Sequence, residues 1–179
     1  MRIAHLILTH GKPDQLKRLV EKFLYDGDSV FIYVDLKTPI NEYDFFQSYP
    51  NVYFIQHRIK IYWGSYRMIQ ATINACKEII ATGIAFDYVN LLSGQDYPLK
   101  SGAYIQRFLE NNPGKAFMEF YRISDEWTEA IPRLEKYHLV NYPFKGAYHL
   151  EMFLNFLLPR RKLPGQWVAV GRSQWFTIA

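Results

Sequence analysis

The stretch "NLLSGQDYPLKS", Asn90 to Ser101, decides how the rest of the chain is read. An apolar run, Tyr88-Val89-Asn90-Leu91-Leu92, stops abruptly at Ser93-Gly94-Gln95-Asp96, and Tyr97-Pro98 follows. A short apolar run bounded by glycine and proline reads as a buried strand, and the glycine and proline would suffice for the turn that ends it. Asp96 is the addition. A lone carboxylate at the carboxyl end of a strand points to a ligand there.

The same grammar recurs on both sides. Arg2–Leu8 shows little alternation, as a strand buried on both faces does. Thr9-His10-Gly11-Lys12 then turns, and Pro13-Asp14 opens a helix whose apolar face is Leu16, Leu19, Val20, Phe23 and Leu24. Val30–Val34 is a second buried strand, closed by Asp35, and Asn51–Ile55 a short third. Helical periodicity runs over Ser65–Ala81, with Gly83 as its stop. Tyr88–Leu92 is the fourth strand, Ser101–Glu110 a helix capped by Ser101, and Lys115–Phe120 the fifth strand. Strand and helix in alternation predict an α/β fold: a mainly parallel sheet flanked by helices. Beyond Phe120 the rhythm loosens, with a helix expected at His149–Leu158 and short strands at Trp167–Ala169 and Gln174–Ile178. The chain stops at Ala179 in a strand-like run, which reads as an end inside a domain. One domain is expected over residues 1–179.

Composition narrows the classes. A 49% hydrophobic content excludes general disorder, and 179 residues can bury a core. Most of the 17% aromatic share is expected in the core, and the surplus of Tyr and Trp also suits a site with flat amphipathic walls, such as a sugar or base pocket. A net charge of +4 favours anionic partners and is compatible with peripheral membrane association, but no aromatic-basic platform supports a nucleic-acid partner. Pro159-Arg160-Arg161-Lys162, the densest basic cluster, reads as a solvated loop. Cys76, the one cysteine, excludes an internal disulfide and reads as a small apolar residue on a helix. The amino terminus has neither a membrane-length apolar run nor a small-residue cleavage site, so a cytoplasmic location, free or at the inner face of a membrane, is the expectation.

In an open parallel sheet, ligands bind beyond the carboxyl ends of the strands. Three such ends are polar: Thr9-His10-Gly11, Asp35-Leu36-Lys37 and Ser93-Gly94-Gln95-Asp96. Neither a dinucleotide fingerprint nor a P-loop is present. His10 and Lys12 could face a phosphate, or simply line an exposed turn. Asp35 could accept from a ribose or base edge, or cap a turn. Asp96 alone is thin coordination for a hard cation, with no second acid two residues away. The five histidines show no ligand spacing, and His5, in mid-strand, reads as a satisfied core group. Ser65, before the long helix, is a cap or a phosphate site, and the residues alone do not choose.

The ordered strings "AHLILTHGKP" (Ala4–Pro13), "FIYVDLK" (Phe31–Lys37), "IYWGSYRMIQA" (Ile61–Ala71), "YVNLLSGQDYPLKS" (Tyr88–Ser101) and "GRSQWFTI" (Gly171–Ile178) resemble the core-2/I-branching glycosyltransferases, family 14, in the flavour of its bacterial members. That family includes β-1,6-N-acetylglucosaminyltransferases and peptide O-xylosyltransferases. The resemblance implies a glycosyltransferase-A-like, nucleotide-sugar-binding fold. It also implies inverting transfer of N-acetylglucosamine or xylose from a UDP-sugar to a glycan or peptide hydroxyl, with no cofactor and no metal. Leu8, Thr9, His10, Asp35 and Ser65 are then expected around the donor nucleotide. Asp96, Glu119 and Arg133 are expected around the transferred sugar and acceptor. Donor binding falls to about residues 1–120 and the acceptor region begins at about 121–179. The family's general base, a glutamate, would lie beyond Ala179, as would the basic residues that face the departing diphosphate. A non-catalytic nucleotide-sugar or carbohydrate-binding module is the alternative reading.

Overall fold

A computed structural model describes residues 1–25 and 27–179. Strands β1 (Ile3–Thr9) and β2 (Ser29–Val34) form its centre; β2 is buried throughout, and only Leu8 of β1 is partly open. Because side chains alternate across a strand, the two strands serve two cores at once. On one face Ile7, Val30, Ile32 and Val34 meet Leu16, Leu19, Val20 and Phe23 of α1 (Pro13–Phe23), joined by Tyr43 and Phe46 of a 3-10 helix, Ile40–Ser48. On the other, Ala4, Leu6, Phe31 and Tyr33 meet Ala71, Ala75 and Ile79 of α2 (Tyr66–Ala81). Each large aliphatic side chain so buried contributes about 1.5–3 kcal/mol relative to exposure.

Short strand β3 (Val52–Phe54) pairs in parallel with β2, and β4 (Tyr88–Ser93) in parallel with β1. Helix α3 (Gly102–Glu110) leads to β5 (Phe117–Arg122); its cap is Ser101, whose Oγ accepts from the Tyr104 N–H at 3.3 Å. Gly83 ends the α2 region with φ near +71°, where a side chain would be strained. The alternating α/β reading is therefore borne out, and its mainly parallel sheet holds for the first four strands.

The last strand departs from expectation. One strand, β6 (Val170–Ile178), replaces the two short ones expected, and Trp167–Ala169 lie outside it, after a turn in which the Trp167 N–H donates to the Pro164 carbonyl at 2.9 Å. The polar pair Arg172-Ser173, which interrupts the apolar pattern, lies within a bulged strand. Strand β6 runs antiparallel between β4 and β5, giving the order β3-β2-β1-β4-β6-β5. Its pairing with β5 jumps from Phe176 opposite Met118 to Arg172 opposite Phe120. Glu119 alone on β5 therefore spans Ser173, Gln174 and Trp175 on β6. Gly171 is required beside this bulge, since a Cβ there would stand 2.9 Å from Trp127 Cζ3.

Between β5 and β6 lie a 3-10 turn at Thr128–Ala130 and helices α4 (Ile131–Glu135) and α5 (Ala147–Leu157), the last close to the predicted span. Polar clips hold α5: Glu151 Oε2 accepts from the Leu139 N–H at 2.8 Å, and Asn155 Oδ1 accepts from the Tyr137 N–H at 2.8 Å. The Arg160–Lys162 cluster is an exposed loop, as read, with Arg160 2.8 Å from Glu135. No helix of the described residues is long and apolar enough to cross a membrane.

A buried polar chain crosses the sheet beneath these layers. Asp28 Oδ1 accepts from the Ile3 N–H at 2.9 Å and from Gln106 Nε2 at 3.0 Å, while Asp28 Oδ2 lies 3.5 Å from His5 Nε2. Thr177 Oγ1 donates to Asn90 Oδ1 at 2.9 Å, which orients the Asn90 amide to donate to His5 Nδ1 at 3.1 Å. The neutral ring then carries its proton on Nε2, toward Asp28. The satisfied core histidine expected from sequence is what the fold contains. Burial lowers the His5 pKa from its ordinary 6.5, against the smaller upward pull of Asp28. The unfolded chain therefore takes up this proton first as pH falls. Stability present above pH 6.5 is lost progressively below it, by up to about 1.4 kcal/mol per pH unit. Urea midpoints from pH 7.5 to 5 check the slope, and an NMR titration should show the His5 ring protonating below its ordinary 6.5.

Candidate functional site

The chain leaves β1 toward β2 and leaves β4 toward β5, so the tips of β1 and β4 border a crevice in which open α/β sheets hold their ligands. A cleft of about 670 Å³ lies there. The tips supply Leu8, Thr9 and His10 from β1, Asp35 from β2, and Ser93 and Gln95 from β4. The three polar strand ends singled out in the sequence thus converge on one cavity. Glu119 of β5 lines it as well.

Close backbone packing makes this convergence possible. The Gly94 N–H donates to the Leu8 carbonyl at 2.8 Å, and the Asp35 N–H donates to the Thr9 carbonyl at 2.8 Å, so each outer tip is tied to β1. A Cβ on Gly94 would lie 2.6 Å from Thr9 Oγ1. Glycine is needed at that position for approach, not for an unusual φ. Two side chains add further ties: Gln15 Nε2 donates to the Gln95 carbonyl at 2.8 Å, and Thr38 Oγ1 donates to the His10 carbonyl at 3.2 Å.

Asp35 is 5% exposed. Its Oδ1 accepts from the Lys37 N–H at 2.8 Å, and its Oδ2 accepts from the Ile61 N–H at 3.3 Å with Lys37 Nζ at 3.5 Å. The turn-capping reading holds, and the same carboxylate lines the cleft. A carboxylate has about four lone-pair sites, so a ligand N–H or O–H still finds an acceptor here.

Asp96 differs. Its Oδ2 accepts from the Ser93 N–H at 2.8 Å, closing the tip turn on itself, and Asp96 is not among the lining residues. Ser65 also lies behind the lining, although Gly64 and Met68 on either side are in it. As N-cap of α2 its side chain makes no capping bond, and its buried Oγ has no hydrogen-bond partner among the described residues. Arg133 sits apart on α4, its guanidinium 5.5 Å over the Trp127 ring, and it does not line the cleft. Among the described residues no group of three or more His, Cys, Asp and Glu gathers as metal ligands would. Cys76 is half-buried on α2 beside the core, with burial raising its thiol pKa.

Trp63 and the β6 bulge complete the wall. Trp63, 91% exposed, stands at the margin after Ile61 and offers a flat face to a base or sugar ring. On the far side the bulge supplies Arg172, Ser173, Gln174 and Trp175. Arg172 has φ near +148°, rare for a residue with a side chain, at a cost of order 1–3 kcal/mol. Its Nε lies 3.5 Å from Glu119 Oε1 and its guanidinium 5.1 Å over the Tyr121 ring. The string "GRSQWFTI" contained these residues, but the strand that delivers them to the cleft is legible only once the sheet order is known.

A family model described as Core-2/I-Branching enzyme matches residues 3–177. Xylosyltransferase 2 of Rattus norvegicus is 25% identical over 183 residues, covering 99% of this chain and 20% of the rat protein. The Homo sapiens xylosyltransferase 2 is 24% identical over the same shares. A beta-1,3-galactosyl-O-glycosyl-glycoprotein beta-1,6-N-acetylglucosaminyltransferase of Bovine herpesvirus 4 is 24% identical over 140 residues, 76% of this chain and 31% of the viral protein. The chain thus spans a fifth to a third of the length of these relatives. With the match running from the first residue of β1 almost to the end of β6, the chain belongs to the Core-2/I-branching enzyme family.

Proposed function

We propose that the cleft is the donor site of a glycosyltransferase and takes a UDP-sugar. The observation that carries this reading is the meeting of Leu8, Thr9, His10 and Asp35 with Ser93 and Gln95 in one cavity. In it Asp35 accepts from the uracil or ribose, the β1 tip packs along the nucleoside, and the β4 tip borders the diphosphate. Glu119, on the far side, receives the acceptor. The acceptor is a hydroxyl of a glycan or peptide, and the sugar is N-acetylglucosamine or xylose, the groups named for the relatives. In the transfer the acceptor oxygen bonds to the anomeric carbon from the face opposite the diphosphate. The bond to the β-phosphate oxygen breaks, UDP departs with that electron pair, and a carboxylate takes the hydroxyl proton. The configuration inverts, and no metal or other cofactor is required.

Thermal unfolding with UDP, UDP-N-acetylglucosamine and UDP-xylose tests the reading. At a ligand concentration a hundredfold above Kd, binding adds about 2.7 kcal/mol, enough to raise the melting midpoint by several degrees. The rise should persist in EDTA. Midpoints unmoved by all three ligands would overturn the assignment, and binding without donor turnover in the full-length protein would leave a binding module.

A further inference from the structure

We propose that helix α5 and the basic loop after it dock this protein onto the surface of an anionic lipid bilayer. A surface helix that faces water turns its apolar stripe inward. Helix α5 does the reverse. Its inner, partly buried stripe is Ala147, Glu151, Leu154 and Asn155, held down by the clips from Glu151 and Asn155 to the Leu139 and Tyr137 N–H groups. Tyr148, Leu150, Met152, Phe153, Phe156 and Leu157 are exposed, Phe156 at 88%. Trp167 and Val168, beyond the basic loop, are exposed as well. Large apolar side chains gathered in this way on a surface mark an interaction site.

Charge identifies the partner. From Lys136 to Val170 there are five cations, Lys136, Lys145, Arg160, Arg161 and Lys162, and one acid, Glu151, a net charge of +4. The rest of the chain has sixteen Lys and Arg against sixteen Asp and Glu. The net charge of the whole protein therefore lies in the segment that carries the apolar face. Glu151 does not offset it at the surface, since its carboxylate is turned onto the Leu139 N–H and His138. Arg160 pairs with Glu135 but stays open to solvent, so a lipid phosphate can reach it. A second copy of the chain is a poor occupant, because it would bring two basic loops together. An anionic bilayer meets both requirements: its phosphates take the cations, and its acyl boundary takes the aromatic and aliphatic side chains.

Length sets the pose. At 11 residues α5 is about 16 Å long, roughly half the thickness of a hydrocarbon core, so it lies in the plane of the interface. Lys145 precedes its first turn and Arg160-Arg161-Lys162 follow its last, which places cations at both ends. Tyr148 and Trp167 suit the headgroup level. The proposal stands apart from the UDP-sugar reading of the cleft.

Flotation with vesicles tests it, using phosphatidylcholine alone and phosphatidylcholine mixed with phosphatidylglycerol at about three to one. Wild type should float with the anionic vesicles, not with the neutral ones, and should be released as salt rises. Replacing Arg160, Arg161 and Lys162 together by glutamine should weaken partitioning on the order of 100-fold, and Phe153→Ser with Phe156→Ser by about 10-fold or more. Both sets change exposed side chains, so urea midpoints should stay at the wild-type value. Arg18→Gln with Lys22→Gln, on the exposed side of α1, should leave partitioning within about threefold. Wild type that ignores anionic vesicles at low salt would overturn the proposal, as would binding that survives both sets or falls as far with the α1 pair. A dimer in sedimentation velocity that the two serine substitutions dissolve would assign the face to a second copy and overturn it. A longer protein containing this chain that fails to bind would show the face covered by its further residues, with the same consequence.

Discussion

Replacing Asp28 with alanine is expected to lower stability by about 3–5 kcal/mol, a fall in melting midpoint on the order of 10 °C. The magnitude follows from what the carboxylate holds. It is 2% exposed and sits between three groups: the Ile3 N–H, Gln106 Nε2 and His5 Nε2. Alanine would remove the acceptor from the Ile3 N–H and the His5 ring, and each buried polar group so orphaned costs about 1–3 kcal/mol. The damage would extend along the chain through Asn90 to Thr177, the pair that ties β4 to β6. Asp28→Asn keeps the shape and one acceptor oxygen, and should cost less. Urea denaturation of both variants checks the ordering. A loss under 1 kcal/mol for alanine would mean that water or a rotated neighbour satisfies the orphaned donors.

The second large effect is local to the cleft. Gly94→Ala should cost about 2–4 kcal/mol and abolish most nucleotide binding, because its new methyl group meets Thr9 Oγ1 at 2.6 Å and Thr9 Cβ at 2.8 Å. The obstacle is the stem of a residue in the central strand, so relief requires the β4 tip to lift away from β1. That lift would break the Gly94 N–H to Leu8 carbonyl bond and spread the tips that line the cleft. A Gly94→Ala, Thr9→Ala double variant removes the obstructing hydroxyl and should regain part of the stability. Thermal unfolding with and without UDP separates the two losses. Unchanged stability in the single variant would show that the tips have slack.

These effects show which parts of the molecule could be read before its structure was known. Strands β1 and β2 were legible because burial on both faces leaves a continuous apolar run, β4 because a short apolar run stops at a polar turn, and helices α1 and α2 because their buried residues recur with helical spacing. The rim at Thr9-His10, Asp35 and Ser93–Gln95 was legible for a geometric reason: parallel strands deliver their ends to one side of the sheet. Asp96 and Gly94 exchange the roles that sequence suggested. The carboxylate serves the turn, and the glycine serves the cleft by letting β4 approach Thr9. Arg172 could not be weighed in advance. Its place depends on β6 entering between β4 and β5, a pairing of residues far apart in sequence, and on a bulge that no local periodicity signals. Arg133 illustrates the converse, a residue suggested by resemblance that lies on α4 away from the cavity.

The position of β6 also has a kinetic side. Strands β1 to β4 can join one another as each leaves the ribosome, but β5 has no neighbour in the sheet until β6, synthesised after α5, enters between it and β4. During translation the growing sheet therefore carries an open edge on β4, and β5 waits as a loose hairpin arm. Such contacts between distant segments are slow to form. The half of the cleft that holds Glu119 and Arg172 is thus the last to mature, and a nascent chain is most exposed to edge-to-edge association in that interval.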